Sequence, residues 1–258
     1  MKSATSLEIV SHVYNAPGTN GYAEHLKWQF ASLIHHPPRV PTTLTVCYTS
    51  RDQVTKARVR RIGEMLDRSE NPHRLTLKAI DFAPGSLFRR AVGRNFAALH
   101  TTADVIWFTD ADYSFGAGCL DAVADLVGVD TELAQPAEIL IHTTHALGDD
   151  DIFAARDEDL PLLNPANFSR RRQKVCIGGV HIVGGNVARR VGYCNATKWV
   201  EPVDEAEGFR SCRCDKAFRR VNGFKAQRLP IPNVFRIRHS IDGRDLDLAG
   251  VVRGREVW

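Results

Sequence analysis

Apolar residues fall along the chain in short blocks whose period keeps changing. Residues 7–14 (LEIVSHVY) form a largely apolar run that predicts a first strand. Residues 22–34 carry Leu26, Phe30, Leu33 and Ile34 at helical spacing, and His35-His36-Pro37-Pro38 ends that helix in a solvated turn. A second strand is predicted at 44–48. An amphipathic helix follows at 54–66, with Lys56, Arg58, Arg60 and Arg61 on a solvated basic face. A third strand at 75–80 precedes a helix over 87–100 that carries Arg89, Arg90, Arg94 and Asn95. Strands alternating with helices predict an α/β fold, a mostly parallel central sheet flanked by helices.

The pattern changes at Val105-Ile106-Trp107-Phe108-Thr109, which is β-branched and aromatic without alternation. Such a run reads as a strand buried on both faces. It delivers two carboxylates, Asp110 and Asp112, to the end of the strand, where open α/β sheets bind ligands. One intervening residue lets both carboxylates converge on a hard divalent cation and, through it, on a diphosphate. A turn containing Gly116 and Gly118 follows, then a helix at 120–126 and a strand at 138–143. Residues 148–174 turn acidic and then basic, ending in Arg170-Arg171-Arg172-Gln173-Lys174. They read as a long excursion, either a solvated loop or a lid. A strand at 180–183 leads through Gly184-Gly185 into a helix, where glycines let the backbone approach a ligand. A helix at 209–221 and strands at 224–229 and 234–239 complete a single domain over residues 1–240. A charged extension follows at 241–258.

Composition narrows the function classes. The chain has 258 residues, 43% hydrophobic and 25% charged, with a net charge of +4. That is ordinary for a soluble globular domain whose core needs no disulfides. The six cysteines include one close pair, Cys212 and Cys214, and no second pair to complete a zinc site. They read as reduced thiols, several of them in the core. No apolar run approaches the ~20 residues of a membrane span, and residues 1–8 lack a secretory signal. A cytoplasmic protein is expected, with membrane contact at most peripheral. The arginines are interleaved with acids and no aromatic platform accompanies them, which argues against nucleic acid. Neither Gly-x-Gly-x-x-Gly after the first strand nor a P-loop occurs.

Five short motifs in order resemble the GT-A glycosyltransferases of the family-2 type, over roughly residues 7–240. They are Tyr14-Asn15 closing the first strand, Gly93-Arg94-Asn95-Phe96-Ala97-Ala98, Asp110-Ala111-Asp112, Gly184-Gly185-Asn186-Val187-Ala188-Arg189-Arg190, and an acidic segment before a helix with Asp215 and Arg219. His239 after Leu229-Pro230 also fits the pattern. The resemblance implies a Rossmann-like single domain that moves a sugar from a nucleotide-sugar donor to a hydroxyl acceptor, a glycan or a small molecule, with inversion. It implies a divalent metal, Mn²⁺ or Mg²⁺, at Asp110 and Asp112, with Asp110 closer to the ribose and His239 completing the metal shell. It implies Asn15 and Arg94 at the nucleotide, and Gly184 and Gly185 beside the sugar and acceptor cleft.

Two departures leave roles open. The Glu-Asp pair expected to supply the general base is replaced by Cys214-Asp215. Asp215 is the first choice for the base, with Glu205 and Glu207 as alternatives, and another alignment puts Arg213 at that position. The acidic pair expected after the second strand is replaced by Thr49-Ser50-Arg51-Asp52, so Asp52 or Asp81 would contact the nucleotide base. A nucleotidyltransferase would want Lys or Arg in the loop after the first strand, and Pro17-Gly18-Thr19-Asn20-Gly21 has none. A catalytically inactive nucleotide-sugar- or glycan-binding protein of the same fold would need Asp110 and Asp112 but not Asp215.

Overall fold

Backbone pairing begins where the apolar blocks begin. The structure is a computed structural model that describes residues 3–14, 21–68, 74–143, 160–204 and 214–237. Strand β1 (Leu7–His12) leads to α1 (Gly21–His35), β2 (Thr42–Tyr48), α2 (Gln53–Arg68) and β3 (Leu75–Asp81). The three strands lie parallel, β1 beside β2 and β2 beside β3, as the strand–helix alternation predicts. The helix predicted over 87–100 is two pieces, α3 (Pro84–Leu87) and α4 (Arg90–His100). The backbone leaves helical geometry at Arg89, with φ −106° and ψ 89°.

Strand β4 (Val105–Phe108) is buried along its whole length and pairs in parallel with β1. Next come β5 (Tyr113–Phe115), α5 (Cys119–Leu126), β6 (Ala134–Pro136) and β7 (Glu138–His142). Strand β8 (Phe168–Arg172) contains the basic run, which is therefore not all loop: it pairs antiparallel with β7. Strand β9 (His181–Gly184) feeds α6 (Gly185–Val191); α7 (Cys214–Asn222), β10 (Gln227–Leu229) and β11 (Val234–Arg236) follow.

These strands form two sheets where the sequence suggested one. The larger has the order β10-β6-β9-β4-β1-β2-β3, and the smaller β5-β11-β7-β8. In the larger sheet only β9 runs antiparallel to its neighbours, so the sheet is mostly parallel. The core joins Ile9, Val46, Trp107 and Phe108 of that sheet to Leu26 and Phe30 of α1 and Val187 of α6. Cys47, Cys119, Cys176, Cys194 and Cys214 are buried. No helix among the described residues is long and apolar enough to cross a membrane. Residues 241–258, the expected extension, lie outside the described residues.

The antiparallel setting of β9 decides where its glycines go. His181 pairs with Phe108 at the end of β4 that carries the aspartates, and Gly184 pairs with Val105 at the opposite end. A Cβ on Gly184 would lie 2.3 Å from the Val129 carbonyl oxygen, and one on Gly185 would lie 2.1 Å from that of Ala103. These glycines admit neighbouring backbone, not a ligand. Gly184→Ala must therefore displace main chain, at a cost of about 1–3 kcal/mol by analogy with overpacked cores. Urea denaturation of Gly184→Ala should show a lowered midpoint; an unchanged midpoint would refute the close approach.

Candidate functional site

A cleft of about 200 Å³ opens beyond the ends of β1 and β4 and is lined by His12, Tyr14, Arg90, Asp110, Asp112, Gly178, Asp215 and Arg236, among others. Chain direction explains the gathering. Strands β1 and β4 are parallel, so both end here, and β9 and its preceding turn enter from the same side.

The turn with the two aspartates is held from below by Gln29 of α1. Its amide nitrogen donates to the Tyr113 carbonyl at 3.0 Å and to the Asp110 carbonyl at 3.3 Å, and its oxygen accepts from Ser11 at 2.6 Å. From above, Asp110 accepts hydrogen bonds from Arg90 at 2.5 Å and Arg94 at 2.9 Å. Burial alone would raise the Asp110 pKa. The two guanidinium charges outweigh burial and hold the carboxyl well below the usual carboxylate range.

Arg94 is fully buried. It donates to the Thr109 carbonyl and to the Tyr193 hydroxyl, both at 3.1 Å, and its guanidinium lies 5.3 Å from the Tyr193 ring centroid. Burial works against its charge, but Tyr193 and Asp110 keep its pKa above the ordinary arginine value. The Tyr193 hydroxyl also meets His181 Nδ1 at 3.2 Å, and the Tyr193 ring stacks at 4.4 Å on Phe218 of α7. The Asn95 side chain accepts from the Tyr193 backbone N–H at 2.8 Å. The Arg94-Asn95 motif thus fixes the loop that supports the aspartates.

Asp112 is 2% exposed, and its Oδ2 accepts from Arg236 Nε on β11 at 3.0 Å. Asp215, in the first turn of α7, accepts from the Gly178 backbone N–H at 3.2 Å and so joins the same cleft. Asp52 and Asp81 are placed less directly. Asp52 caps the start of α2 by accepting from the Thr55 N–H and hydroxyl. Asp81 accepts from the Ser50 N–H at 2.8 Å, and hydrogen bonds from Ser50 depress its carboxyl pKa. Asp52 follows β2 and Asp81 is the last residue of β3; neither is in the cleft lining. Asn15, Glu205, Glu207 and His239 lie outside the described residues.

The glycines at the cleft are Gly178 and Gly179, not Gly184 and Gly185. A Cβ on Gly178 would meet Arg94 Nη1 at 2.7 Å, and one on Gly179 would meet the Tyr113 ring at 2.4 Å. The sequence offered this second Gly-Gly pair with nothing to rank it above the first. Arg90 stands one helical turn before Arg94 on the same face, a signal the sequence did contain. Arg236 carried no such signal, because its partner is 124 residues away.

His12 is 3% exposed, and neither ring nitrogen has a hydrogen-bond partner among the described residues. Burial, then the Arg94 and Arg90 charges, push its pKa well below 6.5, so the ring is neutral.

No family model and no curated protein matches the chain in sequence. Solved structures match it in shape. The crystal structure of GalNAc-T7 with UDP, GalNAc and Mn²⁺ aligns over 92% of this chain at 13% identity, with a TM-score of 0.53. The chain has the GT-A fold. This GT-A domain spans 44% of the GalNAc-T7 chain. The mannosyltransferase PcManGT from Pyrobaculum calidifontis, in complex with GDP-Man and Mn²⁺, aligns over 99% of this chain and 66% of its own, at 16% identity and a TM-score of 0.49. The inositol-1-phosphate CTP transferase from T. maritima aligns over 100% of both chains at 9% identity and a TM-score of 0.47. The likeness to GalNAc-T7, at 13% identity, establishes the fold and not the reaction.

The cleft's own chemistry tests whether a divalent metal fits. Asp110 is paired with two guanidinium groups and Asp112 with one. Among the described residues, no three His, Cys, Asp or Glu side chains converge as a metal-binding group. A divalent cation here would have to displace or crowd arginines already seated on both carboxylates. The described donor set does not make a metal site.

The neutral state of His12 has a pH signature. Its pKa is lower in the folded state than in the unfolded chain, so below about pH 6.5 only the unfolded chain takes up this proton. Stability should therefore fall as pH drops from 7 towards 5, by up to about 1.4 kcal/mol per pH unit from this one group. Urea titrations at pH 7.0 and 5.5 should show the drop, and His12→Asn should reduce it. An equal drop in the variant would show that His12 is protonated in the folded protein.

Proposed function

We propose that this GT-A protein transfers a sugar from a nucleoside-diphosphate donor to a hydroxyl acceptor, with inversion at the anomeric carbon. The carrying observation is the cleft itself. A carboxylate from a late helix, Asp215, shares one cavity with the charged turn at Asp110 and Asp112 beyond the ends of the central strands. Ligand sites in open α/β sheets lie at that end.

In this reading Asp110 is fixed by Arg90 and Arg94 to meet the nucleoside part of the donor. Tyr14, buried and stacked on Tyr22 at 5.2 Å, lines the same cleft beyond β1. Asp215 is the general base. The acceptor oxygen attacks the anomeric carbon as its proton passes to the Asp215 carboxylate. The bond from that carbon to the diphosphate oxygen breaks on the opposite face, and the nucleoside diphosphate leaves with the electron pair. Negative charge grows on that leaving group, so cationic side chains aimed at it lower the barrier. The divalent cation expected from the sequence is not carried into this reading, because arginines already sit on both of its intended carboxylate ligands.

Asp215→Asn separates this enzyme from an inactive binder of the same fold. The variant should bind donor as the wild type does and lose transfer by about 10²–10⁴-fold, the usual contribution of a general base. Binding is read by calorimetry, and turnover by release of nucleoside diphosphate in an acceptor screen. Full activity in the variant would move the base to Glu205 or Glu207. Donor binding by the wild type with no turnover on any acceptor would favour the inactive binder.

A further inference from the structure

We infer that Asp112 anchors an anion-binding arginine, and that the guanidinium of Arg236 supplies the positive charge for the donor's diphosphate without a divalent metal. The inference rests on the nucleotide-sugar reading above and names what holds the diphosphate in it.

Three observations carry it. First, Arg236 is tied by one edge only. Its Nε donates to Asp112 Oδ2 at 3.0 Å, and its two Nη groups make no hydrogen bond among the described residues. The side chain is 33% exposed and lines the cleft, so the unused donors are accessible from it. A guanidinium held at Nε still presents paired Nη donors, which suit two phosphate oxygens.

Second, the arginine is set rigidly. Tyr113 is its register partner across the β5–β11 pair, and the guanidinium carbon lies 5.6 Å from the Tyr113 ring centroid. The Ile237 N–H donates to the Asp112 carbonyl at 2.8 Å, which ties β11 to the aspartate turn at a second point. An arginine fixed this way loses little side-chain freedom when an anion arrives.

Third, both carboxylates of this turn are already matched by arginine. Arg90, Arg94 and Arg236 face two carboxylates, Asp110 and Asp112. With Asp215 counted the cleft balances at three arginines and three carboxylates, and Asp112 at 2% exposure is a buried counter-ion more than an open ligand. Asp215 reaches the cleft from the other wall, through the Gly178 N–H, and belongs to the acceptor side.

The test uses the full chain and a panel of UDP, GDP, CDP, ADP and dTDP, with binding measured by calorimetry in EDTA and again with Mn²⁺. One diphosphate should bind in EDTA with a Kd within about threefold of its value in Mn²⁺, and inorganic pyrophosphate should compete with it. Arg236→Gln should weaken that EDTA binding by tenfold or more, and Arg236→Lys, which keeps the charge but loses the fork, by less. Melting temperatures establish that each variant is folded. If Arg236→Gln does not fold, the wild-type comparison of EDTA with Mn²⁺ still decides. Binding that appears only with Mn²⁺ would overturn the inference and leave the transferase reading standing. No binding of any diphosphate in either condition would overturn both. Tight metal-free binding unaffected by Arg236→Gln would leave the diphosphate to Arg90 and remove Arg236 from the site.

Discussion

The buried guanidinium of Arg94 is the constraint around which the cleft is assembled. A cation withdrawn from water needs close, well-oriented partners, because an unpaired buried charge costs several kcal/mol. Arg94 finds three of them in two separate segments: the Thr109 carbonyl and the Asp110 carboxylate of one turn, and the Tyr193 hydroxyl. Each partner passes the restraint on. Tyr193 reaches His181 at the head of β9 and stacks on Phe218, three residues along the helix from Asp215. A side chain in the middle of α4 therefore links the aspartate turn to the helix that brings the opposing carboxylate. Loss of that one charge would loosen both walls of the cleft together.

The smaller sheet gives the site its second anchor. Strand β11 lies between β5 and β7, and only its pairing with β5 brings Arg236 level with Tyr113. The aspartate turn is thus clamped between two arginine-bearing elements, α4 from the larger sheet's face and β11 from the smaller sheet. Gln29 closes the arrangement from α1 through main-chain carbonyls. Position and charge are fixed before any ligand arrives, which is how a polar site avoids reorganising during reaction.

Much of this was legible in the sequence, for reasons that also mark where legibility stopped. Strands β1, β2 and β4 and helices α1 and α2 announce themselves because each buries an apolar block or stripe. Asp110 and Asp112 stand out because a buried strand runs straight into them. The strands missed were short: β5 has three residues, and β6 has three and ends in Pro136. Their apolar runs are too brief to show a period. The basic run at Arg170 to Arg172 read as loop because β8 is largely exposed, so no apolar face betrays the strand. Gly184-Gly185 reads as a ligand turn because composition does not say which end of an antiparallel strand faces a ligand; register does. The Asp112–Arg236 pair was invisible for a related reason: a contact across two sheets leaves no spacing in the chain.

The buried cysteines carry a different consequence. Burial pushes the Cys47 and Cys176 thiols up to about 12, far from the thiolate form that reacts. Cys47 also packs against Gly93, where α4 crosses the sheet on the same helix as Arg94. A thiol reagent therefore reaches it only after helix and sheet part company. The pace of its labelling is a stopwatch on how often the floor of the cleft comes open.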